Sequence, residues 1–212
     1  MPRHALDERI ELAESLRSTD PDAPTLSGSW TAAQLAGHLV LRERSWTELL
    51  GRLPSARTRA AAQRAIDAYV AGAGYAQVVS DLADGPPAYS PFRLRVVREQ
   101  VNLLEYLIHH EDVRRAVEGW VPRVLPVQRQ ESIWSRLRVA ARLTTRGLPV
   151  PVRLDCAGHG ALSVGLGRGR VTVSGAPEEL ALVAFGRQRV ARVDYSGPDE
   201  AVDRLRGAAI AV

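Results

Sequence analysis

The chain has 212 residues, 45% of them hydrophobic, and 28 arginines against 24 acidic residues give a net charge of +4. This composition supports one large or two small domains with a proper core, and the mixing of arginines with acids argues against a nucleic-acid-binding surface. No apolar run reaches the roughly 20 residues that span a bilayer, and the charged N-terminus does not resemble a secretory leader. We therefore expect a cytoplasmic protein that binds neither membranes nor nucleic acid.

Four helical regions are predicted within the first 120 residues. Apolar residues at helical spacing predict the first over residues 3–18 and the second over residues 31–51, which opens with a capping pair, Thr31 and Gln34. The third covers about residues 58–83 and is interrupted at AGAG, because two glycines weaken a helix interior. The fourth follows DGPPAYSP and runs without a proline over residues 92–119.

The sequence changes character after residue 120. WVPRVLPV is typical of a linker, and a further helix is predicted over residues 128–147. Short valine-rich segments separated by glycines then predict antiparallel strands, with another strand and two helices after them. The strands are predicted at residues 150–156, 161–167, 169–175 and 191–197, and the helices at residues 176–187 and 198–207. We therefore expect an α+β protein with a four-helix bundle over residues 1–120 and a C-terminal α+β domain over residues 121–212.

The stretch NLLEYLIHHEDVRRA, residues 102–116, places a carboxylate and two histidines among leucines. Glu105 and His109 are four residues apart and share one helix face, whereas His110 is turned about 100° further. If one of the two histidines is a ligand, we expect it to be His109. The alternative for the pair is a solvated helix face or a local hydrogen bond.

A third ligand for such a site is available in the second helix. The only cysteine, Cys156, excludes an internal disulfide and a thiolate metal cage, so a metal must be held by histidine and carboxylate. His38 flanks the apolar stripe that faces the core, and helical bundles build metal sites from inward side chains of facing helices. His38, Glu105 and His109 are therefore a candidate site for a divalent metal. The alternative for His38 is a core histidine with its polar atoms satisfied.

The combination of GSWTAAQLAGHLVLRE with NLLEYLIHHEDVRRA resembles the DinB-like superfamily and, within it, the mycothiol-dependent maleylpyruvate isomerase family. The resemblance implies that a histidine of the second helix and an E-x-x-x-H pair of the last bundle helix bind a divalent metal, usually zinc. These positions fall on His38, Glu105 and His109. It also implies a DinB-like four-helix bundle followed by a small α/β domain related to sterol carrier proteins.

The same resemblance implies a function. Isomerases of the family use the small thiol mycothiol, so the predicted activity is a metal- and thiol-dependent isomerase or transferase acting on a small anionic electrophile. A metal-binding module without chemistry, such as a sensor or a partner-binding protein, is the alternative. A third hypothesis is a purely structural bundle in which Glu105 pairs with an arginine. An enzyme, unlike the other two, needs an open coordination position on the metal.

Further residues are assigned secondary roles. Asp112 is expected either to accept the free ring N–H of His109 or to form a salt bridge with Arg115 or Arg42. Arg187 resembles a GR of the family's second domain that faces the metal pocket, which implies that it binds a substrate carboxylate. Its alternative role is to bond carbonyls at a helix end. The four tryptophans are interpreted as anchors of the core or of the domain interface.

Overall fold

The computed structural model describes residues 3–44, 56–145, 148–165 and 169–208. The chain divides into two compact units, Arg3–Trp120 and Val121–Val212. Within the described ranges there are eight α-helices and one four-stranded sheet, so the predicted α+β class is confirmed. None of the described helices has the length and apolarity that crossing a bilayer requires.

The first unit is helical. Its helices are α1 (His4–Arg17), α2 (Ala32–Arg44), α3 (Ala56–Ala73), α4 (Tyr75–Asp84) and α5 (Arg95–Arg114), and a 3₁₀ turn at Pro91–Arg93 precedes α5. The predicted capping pair is confirmed, because the backbone N–H groups of Thr31 and Gln34 each donate to the other residue's side chain, at 3.2 and 3.3 Å. The predicted continuation of this helix over residues 45–51 lies outside the described residues.

The predicted ends of two helical regions have different outcomes in the structure. The predicted interruption of the third helical region is confirmed at Gly74, whose φ of +79° favours glycine and separates α3 from α4. The prediction that the fourth helix reaches residue 119 is wrong, because α5 ends at Arg114. Beyond this end the chain turns, and the ring of Trp120 lies 4.3 Å from the Arg115 guanidinium carbon.

The core of the first unit lies among these helices. α1 packs against α4 and α5, and α2 packs against α3 and α4. Gly37 permits a close approach of α2 to α3, because a Cβ added there would lie 2.8 Å from Val70 Cγ2. The largest fully buried side chains of this unit are mostly leucines: Leu12, Leu16, Leu35, Leu39, Leu82, Phe92, Leu103, Tyr106 and Leu107. This packing holds α2 and α5 so that their polar side chains can meet.

The second unit combines three helices with the sheet. Its elements are α6 (Val127–Thr144), β1 (Val152–Cys156), β2 (Gly160–Val164), β3 (Val171–Ser174), α7 (Pro177–Ala184), β4 (Asp194–Ser196) and α8 (Asp199–Gly207). The strand order is β2-β1-β3-β4, and α7 packs against α6 and β1. Burial raises the pKa of the Cys156 thiol, at the end of β1, to about 11, so this side chain packs as a small apolar group.

The prediction of antiparallel strands is wrong at the centre of this sheet. β1 pairs with β2 and β3 pairs with β4 in antiparallel fashion, but β1 pairs with β3 in parallel, with Leu154 opposite Val173. The hairpin partner β2 occupies one edge of β1, so β3 takes the other edge and runs in the direction of β1. Strand length and valine content do not encode this choice of neighbour.

Candidate metal centre

The three predicted ligands lie together in the first unit. His38 extends from α2, and Glu105 and His109 extend from α5 one helical turn apart. Glu105 Oε1 is 3.4 Å from His38 Nε2 and 3.5 Å from His109 Nε2. One ligand atom from each of the three residues lies within 4.8 Å of the other two.

These separations are long for hydrogen bonds and match the spacing of two ligands on one ion. N–H···O hydrogen bonds usually measure about 2.7 to 3.2 Å between heavy atoms. A tetrahedral zinc with bonds of about 2.0 to 2.2 Å places two of its ligands about 3.3 to 3.6 Å apart, which is the range of the two contacts to Glu105. Two imidazoles and one carboxylate are also a donor set that zinc accepts, so the residues fit a divalent metal.

The carboxylate of the group is ionised and faces solvent more than the histidines do. The Glu105 side chain is 23% exposed, against 11% for His38 and 10% for His109. Burial alone would raise the pKa of Glu105, but the charge of Arg42 and the hydrogen bonds from both histidines outweigh it and hold the pKa well below its usual value. Glu105 is therefore a carboxylate at neutral pH and can serve as an anionic ligand.

The two histidines differ in protonation because their partners differ. Burial lowers the pKa of His38 despite its hydrogen bond to Glu105. Burial also acts to lower the pKa of His109, but hydrogen bonds to Asp112 and Glu105 prevail and raise it to about 9. In the ion-free protein at neutral pH, His38 is therefore neutral and His109 carries a proton that a metal must displace.

Asp112 contacts His109 on the side away from Glu105. Its Oδ2 is 3.0 Å from His109 Nδ1, and the residue is fully buried. This is the contact expected of a group that accepts the ring N–H and leaves Nε2 free for a ligand. The two arginines of the alternative salt bridge each contact a glutamate as well: Arg115 Nε lies 2.5 Å from Glu111 Oε2, and Arg42 Nε lies 3.3 Å from Glu105 Oε1.

His110 lies on another face of α5, as its position in the helix predicts. Its Nδ1 is 2.8 Å from Glu8 Oε1 and its Nε2 is 2.8 Å from Ser15 Oγ, both on α1. Glu8, Glu11 and His110 form a second group whose ligand atoms are close enough for an ion. Both ring nitrogens of His110, however, already have a partner at ordinary hydrogen-bond distance, so we interpret this group as a clip between α1 and α5.

Two residues of the centre were missed at the level of sequence. The ring of Trp30 lies 4.7 Å from that of His38 and 6.5 Å from that of His109, centroid to centroid, and its Nε1 donates to Gln63 Oε1 at 2.7 Å. Arg42 contacts Glu105, as above. The sequence held one signal for each residue. Arg42 follows His38 by four residues and so shares its helix face, and Trp30 belongs to the GSW motif.

Arg187 belongs to the second unit. It follows α7, and its Nη1 donates to the Phe185 carbonyl at 2.6 Å. This contact is the one that its alternative role, binding carbonyls at a helix end, predicts. The assignment of Arg187 to a substrate carboxylate stays a prediction.

Comparison with known proteins gives a likeness in fold. No protein-family model matches the chain, and no curated protein matches it in sequence. Among solved structures, the crystal structure of the mycothiol-dependent maleylpyruvate isomerase matches with a TM-score of 0.53 and 17% sequence identity, over 91% of this chain and 90% of that chain. The resemblance is therefore confirmed at the level of the fold, which by itself does not establish an activity.

Proposed function

We propose that this protein binds one divalent metal ion through His38, Glu105 and His109 and acts as a small-thiol-dependent isomerase or transferase on a small anionic electrophile. The spacing of Glu105 Oε1 from the two imidazole nitrogens, 3.4 and 3.5 Å, carries the metal proposal. The two nitrogen donors and one oxygen donor favour Zn²⁺ over the oxygen-preferring Mg²⁺ and Ca²⁺. Three protein ligands leave a tetrahedral ion one position for an exogenous ligand.

The thiol part of the proposal is supported by the chemistry of such an ion and by the fold. When bound, a zinc ion lowers the pKa of a thiol that it coordinates, which makes the nucleophilic thiolate available at neutral pH. The solved structure of similar fold is that of a mycothiol-dependent enzyme, and we propose mycothiol as the thiol here. Asp112 would orient His109 by accepting its Nδ1–H, and Trp30 would cover one side of the His38 ring.

The finer assignment of the fold is part of the same proposal. We propose that residues 1–120 are a DinB-like four-helix bundle and that residues 121–212 are a C-terminal domain related to sterol carrier proteins. Two facts support it: the division of the chain after Trp120, and a likeness in fold that extends over 91% of the chain. Arg187 of the second unit is the proposed ligand of a substrate carboxylate, and the proposed location is the cytoplasm.

The experiment that tests the proposal has two stages. The first is metal analysis of untagged protein, for which we expect close to one divalent ion per chain. The second is calorimetric titration of the metal-loaded protein with mycothiol, followed by turnover assays with maleylpyruvate and related electrophiles. Glu105→Gln is expected to damage metal and thiol binding, whereas Arg187→Ala should retain both and weaken only substrate capture.

The two stages separate the enzyme from its alternatives. A loaded site that binds no thiol contradicts the enzymatic proposal and leaves a metal-binding module without chemistry. Protein that takes up no metal contradicts both and leaves the structural hypothesis, in which the pairing of Glu105 with Arg42 is the purpose of the carboxylate.

A further inference from the structure

One cation lies directly against the carboxylate of the candidate centre. Arg42 follows His38 by one turn of α2, and its Nε is 3.3 Å from the same Glu105 oxygen that both histidines approach. The Arg42 side chain is only 14% exposed. A fixed guanidinium at this place restricts the rotation of the carboxylate before any ion arrives.

The Arg42 guanidinium is itself held by the buried side-chain amide of Asn102. Arg42 Nη1 donates to Asn102 Oδ1 at 2.7 Å, and Asn102 is fully buried one turn before Glu105 on α5. The Asn102 amide nitrogen donates to Glu43 Oε1 at 3.3 Å and to the Tyr106 hydroxyl at 3.1 Å. These two acceptors fix the amide so that its carbonyl oxygen points to Arg42.

The two acceptors of the Asn102 amide, Tyr106 and Glu43, are also hydrogen-bonded to each other. The Tyr106 hydroxyl donates to Glu43 Oε1, and both residues are buried. The Arg42 guanidinium carbon also lies 5.2 Å from the centroid of the buried Phe92 ring. Arg42 is thus held by a hydrogen bond at one nitrogen and by an aromatic face, which leaves Nε directed at Glu105.

We propose that Arg42 is a positioning residue that holds the Glu105 carboxylate for the metal ion, and that Asn102 holds Arg42 in turn. The inference rests on the metal site proposed above. A ligand whose orientation is fixed beforehand loses less freedom when the ion binds, and outer partners of this kind typically affect metal affinity by about 10- to 100-fold. Arg42 acts through Glu105 and needs no contact with the ion.

The test uses Co²⁺ with the full-length wild-type protein and three variants. Arg42→Lys keeps the charge but replaces the planar fork, which contacts Glu105 and Asn102 together, with a single ammonium group. Asn102→Leu keeps every charge and removes the anchor of Arg42, together with the amide's contacts to Glu43 and Tyr106. Arg44→Lys is the matched control, because Arg44 lies on the same helix, pairs with Asp81 at 2.7 Å and stacks 5.4 Å from the Tyr69 ring.

The measurements are the Co²⁺ dissociation constant and the visible absorption spectrum of the bound ion, which responds to coordination geometry. We expect Arg42→Lys and Asn102→Leu to weaken binding by about 10- to 100-fold and to change the spectrum, while Arg44→Lys matches wild type. A melting curve for each variant shows that the comparison is made on folded protein. Should Asn102→Leu not fold, Arg42→Lys against Arg44→Lys still decides.

The outcomes are distinct. Wild-type affinity and spectrum in Arg42→Lys overturn the positioning role, and a wild-type result in Asn102→Leu overturns the anchoring by Asn102. Equal weakening in Arg44→Lys also overturns the inference, because it reports a general loss of helix packing. If the wild-type protein itself binds no Co²⁺, the metal site fails, and that failure is visible before any variant is compared.

Discussion

Two adjacent histidines, His109 and His110, lie on different sides of α5 and differ in the distances to their partners. His109 approaches Glu105 at 3.5 Å and has His38 beside it, with ring centroids 5.5 Å apart. His110 meets both of its partners, Glu8 and Ser15, at 2.8 Å. The ligand atoms around His109 are spaced widely enough for a metal ion between them. The atoms around His110 are at ordinary hydrogen-bond distance from its ring nitrogens.

This difference shows how one helix can carry a binding function and a structural function side by side. A buried polar group must be satisfied, either by a partner in the protein or by a ligand. His110 has protein partners at 2.8 Å on both ring nitrogens. Among the described residues, His109 has Asp112 at 3.0 Å from Nδ1 and the more distant Glu105 at 3.5 Å from Nε2. The side of α5 that faces α2 is therefore the side on which we expect an ion.

The largest expected effect is on metal content. His109→Ala should lose the ion, because two ligands rarely hold a zinc that needs at least three from the protein. His110→Ala should keep close to one ion per chain. Elemental analysis of the two purified variants makes the measurement. Loss of the ion in His110→Ala, with retention in His109→Ala, would assign the metal to the Glu8 side and reverse the comparison.

The second prediction concerns stability on the His110 side. His110→Ala removes a hydrogen-bond partner of the fully buried Glu8 carboxyl, and the loss of a buried hydrogen bond of this kind costs about 2 to 3 kcal/mol of unfolding free energy. Ser15→Ala, which removes only a hydrogen bond from a half-buried hydroxyl, should cost about 1 kcal/mol. Chemical denaturation of both variants tests this. Equal stability of His110→Ala and wild type would mean that the clip does not hold α1 to α5.

The third prediction concerns the stability of the protein after metal removal. An ion that binds only the folded state adds about 2.7 kcal/mol of stability at a free concentration 100 times its dissociation constant. Chelation should therefore lower the melting temperature of wild type by several degrees and should leave that of His109→Ala unchanged. An unaltered melting curve after verified metal removal from wild type would place the ion at a peripheral site.

The smallest expected effect is the pH dependence of metal affinity. The pKa of His109 is raised to about 9 in the ion-free protein, so below this pH the ion must displace a proton and its apparent affinity rises with pH by roughly tenfold per unit. His38, whose pKa is lowered, is neutral at pH 7 and releases no proton. Calorimetry at pH 7 in two buffers of different ionisation enthalpy should detect about one released proton. Release of none would contradict the protonation assigned to His109.

Features of the fold that depend on neighbouring residues are predictable from the sequence. The capping pair Thr31 and Gln34 and the break at Gly74 depend on neighbouring residues and glycine's freedom at positive φ, so they were predictable. The common face of Glu105 and His109 follows from the four-residue spacing alone. The parallel pairing of β1 with β3 depends on which sheet edge is still available after β2 has paired, which no local pattern contains.

The sequence alone predicts the residue types of the candidate centre, the shared face of Glu105 and His109, and the turning of His110 away from them, because a helix fixes the angles between near neighbours. The packing of whole helices was needed to bring His38 within 3.4 Å of Glu105 and Arg42 to the same carboxylate. The same packing brings Glu8 and Ser15 into hydrogen-bond distance of His110. These contacts join residues many turns apart in the chain, and their distances depend on how whole helices pack.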